Sequence, residues 1–360
     1  MAARQARLIC YSQLVRPPRI ESFQVRILRA ALKRPFITAL GRKTHTVNVG
    51  IELRLSGGAR GYGEASSSLA LAHLSPARLS GALRSLGGSC LGRDPRLAGA
   101  IIAEGWRRWG TVSPAAAAFE CALLEALAAS RGLSLREWFG GKLDRVESDI
   151  TLSAWDEEAT FRAAQEAARE GFRILKVKVG TSFARDLARA RAAFRAFPKA
   201  RFYLDGNQGM SEAGALRLVE TCLGEGLRVE LLEQPLAKTD FPGMRRLLRR
   251  LPVTLAADEM VMDPADAHRV AGQEAAGAIN IKVAKSGLLR SLEIAAVARA
   301  AGLRLMIGCM AETARGLAPS VHLALGTGFF RYVDLDSDWL LAEAPGDCGW
   351  VRRGPFLALA

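Results

Sequence analysis

Three carboxylates and a few scarce lysines stand at the ends of apolar runs in this chain. Their types suit proton transfer beside a divalent cation. Asp205 closes RFYLD, Glu233 closes RVELLE and Asp258 closes VTLAAD. Taken singly, a carboxylate after a strand is most often a turn former or a helix N-cap. On three consecutive strands, the oxygens can converge on one rim. Hard oxygen donors without His or Cys favour Mg²⁺ over zinc. Asn207 in LDGNQG and Glu259 in AADE are close enough in sequence to support those ligands from behind.

Lysine is rare here, 9 residues against 41 arginines, yet FRILKVKVG places Lys176 and Lys178 two apart in an apolar run. Residues two apart on a strand share a face, so both ammonium groups point the same way. A half-exposed basic strand would account for that pair alone. A third lysine, Lys282, closes GAINIK.

The elements that must position these groups are legible from residue 146 onward, where short apolar runs alternate with amphipathic helical stretches in the manner of repeated β/α units. Eight strands are expected: SDITLS, RILKVKV, RFYLD, RVELLE, VTLAAD, GAINIK, LRLMIG and RYVDLD. The polar residues at their ends, Thr151, Lys176, Asp205, Glu233, Asp258 and Lys282, step by 25, 29, 28, 25 and 24 residues, one β/α unit each. Eight such strands close a parallel barrel whose site lies at the C-terminal ends of the strands. In that ring Lys178 on the second strand and Lys282 on the sixth are diametrically opposed, with the cation between them. A substrate carboxylate on Mg²⁺ would present its α-carbon to a lysine on each side. The metal would stabilise the enediolate formed as the α-proton leaves. Such chemistry needs a lysine pKa well below about 10.4, and Lys176 beside Lys178 is expected to help lower it.

Residues 21–145 read differently, with strands such as ESFQVRILRA and VNVGIELRL followed by helices such as SPAAAAFECALLEALA, an α+β pattern. The expected organisation is an N-terminal extension (1–20), an α+β domain (21–145), a (β/α)7β TIM-like barrel (146–338) and a C-terminal segment returning to the first domain (339–360).

Together, KVK, LDGNQ, LLEQP, ADE and NIKVAKSG, in this order and spacing, resemble the enolase superfamily in its muconate-lactonizing subgroup. GYGEA and the helix SPAAAAFECALLEALA are similar to that family's capping domain. The resemblance implies an enolase-like α/β fold with Mg²⁺ on Asp205, Glu233 and Asp258, and acid/base lysines at Lys178 and Lys282. It also implies a homo-oligomer.

Within the subgroup, YVDLDSD resembles the DxD motif of dipeptide epimerases, in which Asp334 and Asp336 would hold the N-terminal ammonium of a dipeptide. Such a pair repels a dianionic muconate. Thr151 matches the threonine of glutamate-directed epimerases, and by the same resemblance Glu312 in GCMAE is expected to support the site and Arg42 or Lys43 to meet the substrate side chain. The expected activity is a Mg²⁺-dependent dipeptide epimerase inverting the C-terminal residue by two-base 1,1-proton transfer. The alternatives are an N-acylamino acid racemase, an o-succinylbenzoate synthase, a muconate-type cycloisomerase, or a noncatalytic basic binding protein.

Composition narrows the classes further. A chain of 360 residues, 49% hydrophobic and 24% charged, is long enough for a large core. The net charge of +14 comes from dispersed arginines, without a basic arm or base-stacking motif, so no nucleic-acid partner is expected. No apolar run of about 18 residues without charges stands out, and the start lacks a secretory core. No membrane partner and a cytoplasmic location are expected. The six cysteines are scattered without metal spacing, which gives neither a disulfide framework nor a zinc site.

Overall fold

A computed structural model describes residues 18–342, 346 and 348–360. Residues 1–17 of the expected extension, with Cys10, lie outside the described residues, as does part of the C-terminal segment. The first strand already begins at Ile20. Strands β1 (Ile20–Thr38), β2 (Gly41–Leu55) and β3 (Arg60–Ala65) form an antiparallel sheet. Helices α1 (Pro76–Cys90), α2 (Ala98–Trp109), α3 (Ser113–Ala129) and the short α4 (Leu135–Trp138) follow. Helix α3 is apolar on nearly every side because it is enclosed by β3, α1 and α2, as an all-round hydrophobic helix must be. The stretch Pro95–Ala129 is long and apolar enough to cross a membrane, but 83% of its apolar window is buried inside the protein.

After β4 (Arg145–Glu147) the barrel begins. Its units are β5 (Ile150–Leu152) with α5 (Glu157–Arg169), β6 (Ile174–Lys178) with α6 (Phe183–Ala196), β7 (Arg201–Asp205) with α7 (Glu212–Gly224), and β8 (Arg228–Glu233) with α8 (Phe241–Leu248). The rest are β9 (Thr254–Ala257) with α9 (Pro264–Gly272), β10 (Ala278–Lys282) with α10 (Val283–Ala300), β11 (Arg304–Gly308) with α11 (Ala314–Thr327), and β12 (Tyr332–Asp334) with α12 (Ser337–Leu340). The eight expected strands are all present, in sequential parallel order. The helices start where short polar side chains cap free N–H groups: Asp156, Ser182, Ser211, Asp240, Asp263 and Thr313 each accept a first-turn backbone hydrogen bond. Strands β13 (Trp350–Arg353) and β14 (Phe356–Leu359) pair with β4, and Trp350 and Leu357 join the core that includes α3.

The barrel interior is divided by height. Its lower layer is apolar, with Ile174, Leu231, Ala256 and Met306 packed around an edge-to-face pair of Tyr203 and Tyr332. Two residues further along, the inward positions are charged at Lys176, Asp205, Glu233, Asp258 and Asp334, and are Asn280 on β10 and Gly308 on β11. Between β5 and β12 there is no strand ladder. The seam is closed by Asp149 N–H to Val333 O (2.9 Å), Leu335 N–H to Ser148 Oγ (2.9 Å) and Thr151 N–H to Asp336 Oδ2 (2.7 Å).

Candidate active site

The charged layer forms two linked clusters. Lys178 Nζ lies 2.6 Å from Asp205 Oδ2. Lys176 Nζ, fully buried, lies 3.1 Å from Asp205, 2.7 Å from Glu233 and 2.6 Å from Asp334. Across the barrel, Lys282 Nζ is 2.7 Å from Asp258 Oδ2. Lys285, one helical turn later, donates to the Asp258 carbonyl (2.8 Å) and Oδ1 (2.7 Å). Asn280 Nδ2 donates to Glu233 Oε1 at 2.7 Å. β6 and β10 are four strands apart in the sheet, so Lys178 and Lys282 face each other as the ring geometry requires.

Backbone features hold these groups in place. Asn207, in the left-handed region with φ 40°, donates its N–H to Asp205 Oδ1 (3.1 Å) and its side-chain amide to Glu259 Oε1 (3.4 Å). Gln234 Oε1 accepts from the N–H groups of Asp258 and Met260 and so fixes the end of β9. Arg189 donates to the Lys178 carbonyl at 2.9 Å. At Gly308 a Cβ would come within 2.7 Å of the Asn280 side chain and 3.0 Å of Lys282 Cε, so glycine keeps that passage open.

The electrostatics differ from expectation at the lysines. Burial alone lowers an amine's pKa, but Asp334, Glu233 and Asp205 outweigh it at Lys176, and Asp258 and Glu233 do so at Lys282, so both are raised. Lys176 is therefore engaged by carboxylates, and its proximity to Lys178 does not make it a free like charge. Burial also opposes ionisation of the carboxylates, yet Lys178 and Lys176 pull Asp205 down to about 2 and Lys282 and Lys285 hold Asp258 low. Glu233 is pushed up to about 7 by burial and by Asp205.

The donor set fits a hard divalent cation. Asn207 Oδ1, Glu259 Oε2 and Asn280 Oδ1 are buried acceptor oxygens without a hydrogen-bond partner, and Glu233 Oε2 faces the Lys176 charge without an aligned hydrogen bond. Oxygens left in this state call for a cation or its bound water. Asp205, Glu233 and Asp258 would hold the ion.

The tightest acidic group lies elsewhere. Oxygens of Asp149, Asp334 and Asp336 fall within 4.8 Å of one another. Asp149 is fully buried and neither of its oxygens faces a donor. Burial first, then Asp334 and Asp336, raise its pKa well above the carboxylate range. The neighbouring Asp334 and Asp336 carboxylates thus favour the protonated form of Asp149. Asp149 was not singled out in the sequence, although it stands two residues before Thr151 and therefore on the same strand face. Lys285 was also missed, despite its place in NIKVAKSG.

A cavity of about 150 Å³ opens above these groups, bounded by Lys178, Lys282, Asp334 and Asp336 below and by Phe36 and Lys43 of the first domain above. Thr151 borders it, and its N–H is the one held by Asp336. Two of the residues expected at the substrate do not border the cavity. Arg42 is exposed on the β1–β2 hairpin and does not border the cavity, because alternation along β2 turns Lys43 inward instead. Lys43 Nζ donates to Ser67 O at 2.5 Å, and burial lowers its pKa to about 8. Glu312 is buried away from the cavity, where its carboxylate accepts Met310 N–H at 2.9 Å and shapes the loop after β11. Burial pushes its pKa up to about 8.

Comparison with known proteins places this geometry. Residues 159–350 match the enolase C-terminal domain-like family, and residues 22–140 match the N-terminal domain of mandelate racemase and muconate lactonizing enzyme. The chain is 34% identical over 353 residues to an aromatic dipeptide epimerase of Herpetosiphon aurantiacus, covering 96% of this chain and 97% of that one. It is 32% identical over 337 residues to the L-Ala-D/L-Glu epimerase of Thermotoga maritima, covering 94% and 97%. The crystal structure of a dipeptide epimerase from Enterococcus faecalis, complexed with Mg and L-Leu-L-Tyr, is similar with a TM-score of 0.90 at 29% identity, covering 95% of this chain and 97% of that one.

Proposed function

The chain belongs to the mandelate racemase/muconate lactonizing enzyme family of the enolase superfamily, and on that premise we propose that it is a Mg²⁺-dependent dipeptide epimerase. The observation that carries this reading is one of arrangement. Two lysines oppose each other across a rim of three carboxylates, and of the acidic pair Asp334 closes β12, four strands from Glu233 on β8, while Asp336 stands just beyond it at the start of α12. A dipeptide is a zwitterion, so its carboxylate suits the rim and its ammonium suits the acidic pair. That orientation sets the α-carbon of the C-terminal residue between Lys178 and Lys282. With Asp205, Glu233 and Asp258 turned to the cation they would hold, those carboxylates would no longer raise the lysines, so one lysine takes the proton from one face and the other returns a proton to the opposite face. Bound Mg²⁺ supplies positive charge where negative charge builds on the substrate carboxylate. Lys43, on the roof, meets the side chain of the residue being inverted. A cytoplasmic homo-oligomer without a nucleic-acid or membrane partner completes the proposal, to be tested by fractionation and light scattering.

The decisive experiment incubates the protein with Mg²⁺ and a dipeptide library in D₂O. One deuteron gained at the C-terminal residue's α-carbon is expected. Deuterium appearing only in N-acyl amino acids would point to the racemase instead.

A further inference from the structure

A second cavity, of about 270 Å³, adjoins the first behind the barrel seam. It exists because α12 has only 4 residues where α5 has 13, so no full helix covers the gap beside β5. Its lining is mostly apolar, from Ile150 and Leu152 on the outer face of β5, Ala163 and Ala167 on α5, and Trp155 and Trp339, with the charged Lys33, Arg34 and Glu166 also bordering it. The β1–β2 hairpin forms the roof and is pinned on both sides. On one side Trp155 Nε1 donates to Pro35 O (2.6 Å) and Ala154 N–H to Ile37 O (2.9 Å). On the other, Ala342 N–H donates to Ala31 O (2.9 Å). The space is therefore built into the fold.

Leu32, Phe36, Thr151 and Leu340 border both cavities, and the Thr151 N–H binds Asp336. We propose that this second cavity receives the side chain of the dipeptide's N-terminal residue, and that this residue is large and apolar or aromatic. The inference rests on the dipeptide epimerase reading. If the substrate ammonium lies on Asp334 and Asp336, its side chain leaves the adjoining carbon only two bonds from that nitrogen, beside the wall the cavities share. The charges nearby are already engaged: Arg34 pairs with Glu166 at 2.7 Å with both side chains about half exposed (45% and 48%), and Lys33 stacks over Trp339 at 4.9 Å. A charged side chain would lose hydration there and would have to compete with these existing pairings for a partner. A glycine or alanine would leave the apolar walls without contact.

The test measures kcat/KM for a series of dipeptides in which the N-terminal residue is Gly, Ala, Leu, Phe, Lys or Glu and the C-terminal residue is the best from the deuterium screen. Leu- and Phe-led dipeptides should exceed Gly-led ones by about tenfold to a hundredfold, the scale on which an apolar pocket discriminates. Ala167→Phe, which fills the cavity, should bring the Phe-to-Gly ratio close to one, and Ala163→Leu provides the same readout if the first variant does not fold. Equal rates across the series, or a ratio untouched by filling, would overturn the inference while the epimerase reading stands. Deuterium in no dipeptide at all would overturn both.

Discussion

Lys176 Nζ stands 2.6 Å from Asp334 Oδ2 and 2.7 Å from Glu233 Oε2, so one buried ammonium joins the carboxylate rim to the acidic pair. The two halves of the site share a charge and cannot be altered independently. Removing one member of a buried ionic group leaves its partners uncompensated, at a cost of about 3–5 kcal/mol. Lys176→Met should therefore lower unfolding stability on that scale, read from denaturant melts, in addition to any effect on rate. A variant as stable as the parent would show that Lys176 does not hold these carboxylates.

Lys178 and Lys282 face each other from strands four apart, so each should serve one epimer. Replacing either with alanine should reduce epimerisation by about 10²- to 10⁴-fold, the usual worth of a positioned acid or base. Each variant should still exchange the α-proton of one epimer in D₂O, and the two should differ in which. Proton NMR of both dipeptide epimers reads this directly, and loss of exchange from the same epimer in both variants would contradict the two-sided arrangement.

The barrel and most of this site were legible because each strand is a short apolar run and its chemistry-bearing residue recurs once per unit. What escaped was set by contacts across the fold. Asp149 reads as an ordinary polar residue before a strand until β12 brings Asp334 and Asp336 against it. Lys285 depends on the first turn of α10, which breaks at Gly287 with φ 71°. The choice between Arg42 and Lys43 turned on the register of β2, which sequence alone does not fix. The second cavity follows from the shortness of α12, a matter of what is missing beside β5.

Asp149 offers a sharper test of the acidic cluster. If its role is to donate a hydrogen bond to Asp334, Asp149→Asn retains a donor of the same shape, while Asp149→Leu leaves Asp334 and Asp336 without one. The asparagine variant should stay within about tenfold of the parent in kcat/KM, and the leucine variant should fall further, mainly through KM, by an amount set by a lost hydrogen bond to a charged group, roughly tenfold to a hundredfold. Equal losses in the two variants would exclude donation as the role.

Lys43 gives a pH signature. With its pKa lowered to about 8 by burial, its positive charge is present below that pH and lost above it. Activity on dipeptides ending in an acidic residue should fall as pH rises through about 8, while activity on those ending in an apolar residue should not follow the same curve. Lys43→Met should abolish the difference. Identical profiles for both substrate types in the parent enzyme would remove Lys43 from side-chain recognition.

Stability should carry a pH dependence from a buried carboxylate that does not border the cavity. Glu120 on α3 is buried where it accepts Trp106 Nε1–H at 2.6 Å and Leu289 N–H at 2.5 Å, bracing the kink at Gly287, where a Cβ would lie 2.6 Å from Glu120 Oε2. Burial raises its pKa from 4.5 to about 7. Between those values the folded chain holds this proton more tightly than the unfolded chain, so the stabilisation is complete below pH 4.5 and is lost as pH rises towards 7. A difference of this size corresponds to roughly 3 kcal/mol at most. Urea melts at pH 5 and pH 8 should show a larger fall for the parent than for Glu120→Gln, whose amide cannot titrate. Equal falls in the two proteins would mean that Glu120 does not carry this linkage between α3 and the helix that follows Lys282.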